Sequence, residues 1–341
     1  MTKTDKIDGP LFLMPHLFSI APMMDWTDRH ERYFLRLITK KALLYTEMVT
    51  TGALLYGDFQ RFLAYHPEEQ PLSLQLGGSE PVELGKAAGL GEQFGFQEIN
   101  LNVGCPSDRV QRGRFGACLM AEPLLVADCI QAMKEAVAIP VTVKCRIGVD
   151  ERDSYDDLLD FVEQVRASGC RTFIVHARKA WLKGLSPKEN REIPPLDYPR
   201  VYQLKYDFPD LEIVLNGGIM DLEDAETHLC RGVDGVMLGR AAYQNPFLLT
   251  EVDRRFFAVL GRGLNRREIA EAFAEYAAEQ INGGVPLNSM TRHILGLFNG
   301  LPGARIWRRH LSENAHKPGA GAEVILDALE RQEAQMVKRA A

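Results

Sequence analysis

Between residues 18 and 240 the chain alternates short apolar runs with longer stretches whose apolar residues return every three or four positions. The short runs are FSIAP (18–22), ALLYTEM (42–48), LSLQL (72–76), EINLN (98–102), VTVKCRI (141–147), TFIVHAR (172–178), EIVLNGG (212–218) and GVMLGR (235–240). Most lack a clean apolar–polar alternation, which suits strands buried on both faces of a parallel sheet. The stretches between them read as amphipathic helices. SYDDLLDFVEQVRASG opens on Ser154 as a cap, has acidic residues in its first turn and stops at Gly169; DLEDAETHLCRG has the same grammar and stops at Gly232. Eight strand–helix units in succession predict an α/β fold, a (β/α)8 TIM barrel, with a doubly wound sheet as the alternative. Beyond Arg240 the pattern changes. REIAEAFAEYAAEQING, SMTRHILGLFNG and AEVILDALERQEAQMVKRAA have helical periodicity, and no strand-like run follows. The expected organisation is a barrel over residues 1–250 and an all-helical domain over 251–341.

Composition adds bounds rather than an identity. The 341 residues are 46% hydrophobic and 25% charged, with a net charge of −6. No apolar run approaches the ~20 residues that cross a membrane. The first residues hold a short apolar patch, but prolines interrupt it and no small-residue cleavage site follows, so the expected address is cytoplasmic. The six cysteines form no C-x-x-C pair, and five of them read as buried small hydrophobes. The eight histidines are dispersed without H-E-x-x-H, so no metal site is expected.

Net charge gives no argument for nucleic acid, but two local windows are basic. Arg178, Lys179, Lys183, Lys188 and Arg191 face only Glu189, and Arg292, Arg305, Arg308 and Arg309 fall in an acid-free stretch from Thr291 to His310. A charge run is usually a solvated face. With one window on the barrel rim and the other in the helical part, the two could clasp a folded RNA whose target base is turned out. Trp181 and Trp307 lie inside these windows and either stack on bases or pack beneath them, packing being the commoner fate.

In a barrel of this type, chemistry sits where the strands end. Those ends carry Pro22-Met23-Met24, Glu47, Gln75, Asn100, Asn102, Lys144, Arg146, His176, Arg178, Asn216-Gly217-Gly218 and Gly239-Arg240. A barrel that is only structural does not need so many polar side chains on one rim. The glycines that close the last two strands suit an anion, a substrate phosphate or a cofactor such as FMN. Cys105 follows the fourth strand in INLNVGCPSDRVQRGRFGACLM, before a loop with Arg109, Arg112 and Arg114. That loop either closes over a nucleotide or is an ordinary solvated connection. The thiol itself is open to three readings: a packed loop cysteine, a nucleophile with His176 as base, or an acid.

SIAPMMDWTDRHERY, LQLGG, INLNVGCPS, VTVKCRIG, VHAR, NGGI and GVMLGRAAYQNP, in that order over residues 18–250, resemble the tRNA-dihydrouridine synthases. ARKAWLKGLSPKENREIPPL and GLPGARIWRRHLSEN look like the A subgroup of that family. The resemblance implies an FMN-dependent, NADPH-driven reduction of uridine to 5,6-dihydrouridine in tRNA, at positions 20 and 20a of the D-loop. It implies that Pro22, Met23, Met24 and Gln75 contact the flavin and that Lys144 and His176 lie close to its ring and ribityl chain. Asn216, Gly217, Gly218, Gly239 and Arg240 would hold its phosphate. Asn102 would hydrogen-bond the uracil, while Lys188, Arg191, Arg305 and Arg308 would contact the tRNA. Cys105 would then be the acid that protonates uracil C5. An ordinary thiol, with a pKa of about 8.5, is protonated at neutral pH and needs no activation for that task. A monomer satisfies all of this. The rivals are a small-molecule FMN oxidoreductase of the dihydroorotate or enone type, which would not need the basic windows, and a non-catalytic RNA-binding protein on an inactive barrel.

Overall fold

The computed structural model describes residues 15–340; the apolar patch of the first 14 residues and the final alanine lie outside the described residues. Nine strands form one parallel sheet: β1 (Phe18–Ile20), β2 (Leu44–Tyr45), β3 (Val49–Thr50), β4 (Leu72–Gly77), β5 (Glu98–Asn102), β6 (Val141–Arg146), β7 (Thr172–His176), β8 (Glu212–Asn216) and β9 (Gly235–Leu238). Their order is β1-β9-β8-β7-β6-β5-β4-β2, with β3 also on β4. A parallel bridge between Ser19 and Leu43 returns β2 to β1, so the sheet closes into the expected (β/α)8 barrel. Of the run read as one strand over 42–48 only Leu44–Tyr45 joins the sheet, and β3 begins just past its end. Thr46 interrupts the run, because its hydroxyl accepts the Gln75 N–H at 3.0 Å where a backbone carbonyl would stand in an unbroken ladder.

The helices form as their caps dictate. Ser154 and Asp157 make a capping box for Tyr155–Ala167, and Asp221 caps Leu222–Cys230. Gly169 and Gly232 follow these helices with positive φ of 85° and 98°. From Val252 to Ala340 the described elements are all helical, with Arg266–Asn282, Ala304–Asn314 and Glu323–Ala340 the longest. The SMTRHILGLFNG run makes only the helix Leu287–Thr291 and a 3-10 turn, Ile294–Gly296. Gly296 explains the tightness: a Cβ there would meet the Gln244 carbonyl oxygen at 2.7 Å. The helical part shares one apolar core with the barrel's outer layer, in which Phe273 meets Phe34 edge-on at 5.4 Å. At the same junction Tyr276 stacks on Tyr33 at 3.8 Å and its hydroxyl meets His30 Nδ1 at 2.8 Å.

The barrel interior divides in two. Ala21, Leu43, Tyr45, Ile174, Val214 and Met237 form a separate apolar cluster. Ser73, Gln75, Glu98, Asn100, Thr142 and Asn102 are polar, buried and hydrogen-bonded to one another. Buried polar groups persist only when they are satisfied in this way.

Candidate active site at the barrel rim

Register brings the rim residues together. Gln75 pairs with Asn100, Asn102 with Lys144, Arg146 with His176, and His176 with Asn216. Cys105 lies just beyond β5, half-buried. Asn102 Oδ1 accepts the N–H groups of Gly104 at 3.1 Å and Cys105 at 2.9 Å, which folds the chain sharply behind the thiol. The Cys105 carbonyl accepts the Ala117 N–H at 2.9 Å. Gly116 makes this approach possible, since at φ 74° a Cβ there would lie 2.5 Å from the Cys105 oxygen. The intervening loop folds into the helix Asp108–Arg112, with Gln111 Nε2 donating to the carbonyls of Pro106 and Leu182. Arg112 and Arg114 are exposed, while the Arg109 side chain lies outside the described set.

Beside the cysteine turn, on the neighbouring strands β6, β7 and β8, stands a cluster of nitrogen groups. Lys144 Nζ donates to Asn216 Oδ1 at 2.8 Å, and Asn216 Nδ2 donates to the Met237 carbonyl at 2.8 Å. Burial first, then the neighbouring Arg146, pull the Lys144 ammonium down to about 8. Burial likewise holds His176 well below the usual imidazole range, helped by Arg146 and Lys144. Its Nδ1 is buried with no hydrogen-bond partner. Gly217, at φ 107°, runs so close that a Cβ would sit 2.8 Å from the His176 ring, and a Cβ on Gly218 would strike Leu196 and Tyr198 at 2.5 Å. Pro22 and Met23 are half-buried and Met24 is 50% exposed, on a turn closed by the Met23 carbonyl accepting from Trp26 and Thr27. Gly239 faces this turn, its Cβ position 3.8 Å from Met23 Sδ. The Arg240 guanidinium turns to Glu192 at 2.8 Å.

Arg146 was visible in the sequence only as a strand-end charge. It is 4% exposed and donates to the carbonyls of Gly104, Lys179 and Asn190, tying the cysteine turn to the segment that carries Lys188 and Arg191. Lys188 and Arg191 are both exposed, and Arg191 lies beside Arg240. Arg305 and Arg308 are exposed on the helix Ala304–Asn314. Trp307 is not a stacking surface: it is fully buried, and its Nε1 donates to the Ile294 carbonyl. Trp181 stays half-buried with Lys179 Nζ 4.0 Å over its ring. Cys129, Cys145 and Cys170 are buried as expected, Cys118 is half-buried and Cys230 is exposed.

Several contacts had no signal in the sequence. Asp28, which caps the helix Arg29–Ile38, pairs with Arg292 at 2.7 Å and His293 at 3.0 Å, joining the first rim loop to the helical part. At the opposite end of the barrel, His16 lies 2.5 Å from Glu98 and 2.9 Å from Glu212. Among the described residues no three acidic, histidine or cysteine side chains gather as a metal site, and no helix is long and apolar enough to cross a membrane.

The model of one family, dihydrouridine synthase, matches residues 19–335, and so runs through the helical part as well as the barrel. A protein of Shewanella oneidensis named tRNA-dihydrouridine(20/20a) synthase is 63% identical over 90% of this chain and 91% of its own length. Proteins of the same name from Vibrio parahaemolyticus (63% identical, 91% of this chain and 95% of its own) and Escherichia coli K12 (59%, 92% and 90%) are similar over the same extent. With the barrel, the rim cysteine and a match across both parts of the molecule, the chain belongs to the dihydrouridine synthase family.

Proposed function

We propose that this protein reduces uridine to 5,6-dihydrouridine in the D-loop of tRNA, at positions 20 and 20a, with FMN as cofactor, NADPH as reductant and Cys105 as the acid. The observation that carries the reading is the convergence on one rim of a half-buried thiol, a half-buried lysine and a buried, unpartnered imidazole nitrogen. Relatives about 60% identical over nearly the whole chain carry the matching name.

The residues present fit a flavin. His176 Nδ1 is buried and lacks a partner, the Lys144 ammonium has donors to spare, and Gly217 bares its backbone beside the His176 ring. Lys144 and His176 would meet the ring and ribityl chain, with Pro22, Met23, Met24 and Gln75 against the ring. The phosphate would rest on Asn216, Gly217, Gly218, Gly239 and Arg240. Arg240 is already paired with Glu192, so the surrounding backbone would carry much of that duty. A flavin held there and reduced by NADPH would supply the hydride for uracil C6. Cys105 Sγ gives its proton to C5, and solvent restores it. Asn102 has spent its carbonyl on the cysteine turn and one N–H on Gln75, so what it offers uracil is its remaining N–H, aimed at a ring carbonyl. Lys188, Arg191, Arg305 and Arg308 would hold tRNA phosphates.

Two outcomes follow. Gly217→Ala forces a side chain into positive φ against His176 and should weaken flavin retention by about tenfold or more, read by gel filtration and visible absorbance, from a strain of order 1–3 kcal/mol. Arg305→Ala with Arg308→Ala should weaken tRNA binding and flatten its log–log salt dependence by about 0.7–0.9 per arginine. The thermal midpoint should not move, since both side chains are exposed.

The test of the whole reading is anaerobic. Protein reduced with NADPH is mixed with dihydrouridine-free tRNA, free uridine, orotate or a simple enone, and flavin reoxidation is followed by absorbance. Rapid reoxidation by tRNA alone is expected. Rapid reoxidation by a small molecule and not by tRNA would instead make this a small-molecule oxidoreductase.

A further inference from the structure

The polar half of the barrel interior is a chain with a direction. At its base, Glu98 Oε1 accepts from Thr142 Oγ1 at 2.9 Å. Thr142 Oγ1 accepts from Asn100 Nδ2 at 2.8 Å, and Asn100 Oδ1 accepts from Gln75 Nε2 at 2.8 Å. Gln75 Oε1 accepts from Asn102 Nδ2 at 2.8 Å, which leaves Asn102 Oδ1 to accept from Gly104 and Cys105. Thr142, Asn100 and Gln75 are at most 1% exposed, and Asn102 is 8% exposed.

A carboxylate only accepts, and a threonine hydroxyl has one proton to give. Glu98 therefore makes Thr142 a donor toward the base of the barrel and an acceptor on its upper side. Asn100 must then turn its NH2 down and its oxygen up, and the same constraint passes to Gln75 and Asn102. Reversing any one amide would set donor against donor or acceptor against acceptor where no water can relieve it.

We infer that Thr142, Asn100 and Gln75 are positioning residues that relay the polarity of the buried Glu98 carboxylate to Asn102, fixing its amide so that the carbonyl holds the Cys105 turn in place for proton delivery. The inference rests on the reading of Cys105 as the acid, and its test has a readout that needs neither cofactor nor substrate. Thr142→Val keeps the shape and removes the hydroxyl; Thr142→Ser keeps the hydroxyl. Hydrogen exchange of the Gly104 and Cys105 amides is measured by mass spectrometry. Alkylation of Cys105 is followed alongside, with the exposed Cys230 as internal reference.

In T142V, exchange at Gly104 and Cys105 should rise about tenfold or more, as for the loss of a local hydrogen bond. Exchange in the rest of β5 and β6 should stay near wild type, and Cys105 should alkylate faster relative to Cys230. Single-turnover reoxidation by tRNA should slow by about tenfold with little change in KM, the mark of a misplaced proton donor. T142S should behave as wild type in every assay. Should T142V not fold, Asn100→Ala cuts the relay above the Glu98 cluster, with the same exchange and rescue logic applied to Gly104 and Cys105. Wild-type exchange at both amides in the folded variant, or T142V and T142S alike, would overturn the relay. Local loosening with undiminished turnover would instead tell against Cys105 as the acid.

Discussion

Cys105→Ser should reduce turnover by about 10²–10⁴-fold, the usual contribution of a placed general acid. A hydroxyl fills the same space but is a far weaker acid than a thiol. Proton transfer to C5 occurs only on the way to product, so the loss should fall on kcat and leave KM for tRNA nearly unchanged. Reduction of the flavin by NADPH should be unaffected. The fold should tolerate the change, because the described polar contact of Sγ is a weak one with Ser107 Oγ at 3.6 Å. Single-turnover reoxidation of reduced protein by tRNA, compared with binding and melting of the same sample, separates these effects. A nucleophile paired with His176 would need a basic imidazole within reach. His176 is held neutral by burial beside Arg146 and Lys144, and no hydrogen bond joins it to Cys105 among the described residues.

The second large effect concerns stability. Glu98 is 3% exposed and accepts from Tyr45, Ser73 and Thr142 while pairing with His16. Glu98→Ala would strand three hydroxyls in the barrel floor and leave the His16 imidazolium with Glu212 alone, costing about 3–5 kcal/mol, the range for removing one partner of a buried ion pair. Glu98→Gln retains an acceptor and should cost less. Denaturant midpoints give the comparison. The same cluster sets a pH dependence. Burial opposes the His16 charge, but Glu98 and Glu212 overcome it and raise the imidazolium from 6.5 to about 10. A pKa raised on folding stabilises fully below the unfolded value and loses that contribution as pH rises. Stability from His16 should therefore be complete below about pH 6.5 and fade as pH passes through about 10. Glu212 is opposite in sign: despite burial, His16 lowers its pKa, so its contribution is present above the ordinary carboxylate range and lost in acid. His16→Gln should flatten the alkaline limb.

The barrel was legible in the sequence because strands covered on both faces leave continuous apolar runs. All eight runs contain strands, though in ALLYTEM only Leu44–Tyr45 is one, ending before Thr46, whose hydroxyl enters the ladder. The caps at Ser154 and Asp221 were legible because capping is local. The rim was legible because polar residues at buried strand ends are conspicuous. What stayed hidden depends on partners far apart in the chain. His16 and Glu98 are 82 positions apart, and Asp28 and His293 are 265 apart. Neither pair leaves a periodic trace. Asn100 and Asn102 could be seen as polar, but which way each amide faces is decided by Glu98 at the other end of the barrel. Trp307 and the short helical turns after Thr291 show tertiary packing overriding local pattern, one by burial and the other by the close approach at Gly296.

The most direct test of the account is the mass of the RNA. An unmodified tRNA transcript is incubated with the protein, FMN and NADPH, digested with a base-specific nuclease, and its fragments are weighed. The D-loop fragment should gain the mass of two hydrogens per reduced uridine, and Cys105→Ser should largely abolish the gain. A D-loop fragment of unchanged mass from flavin-loaded protein that oxidises NADPH would contradict it.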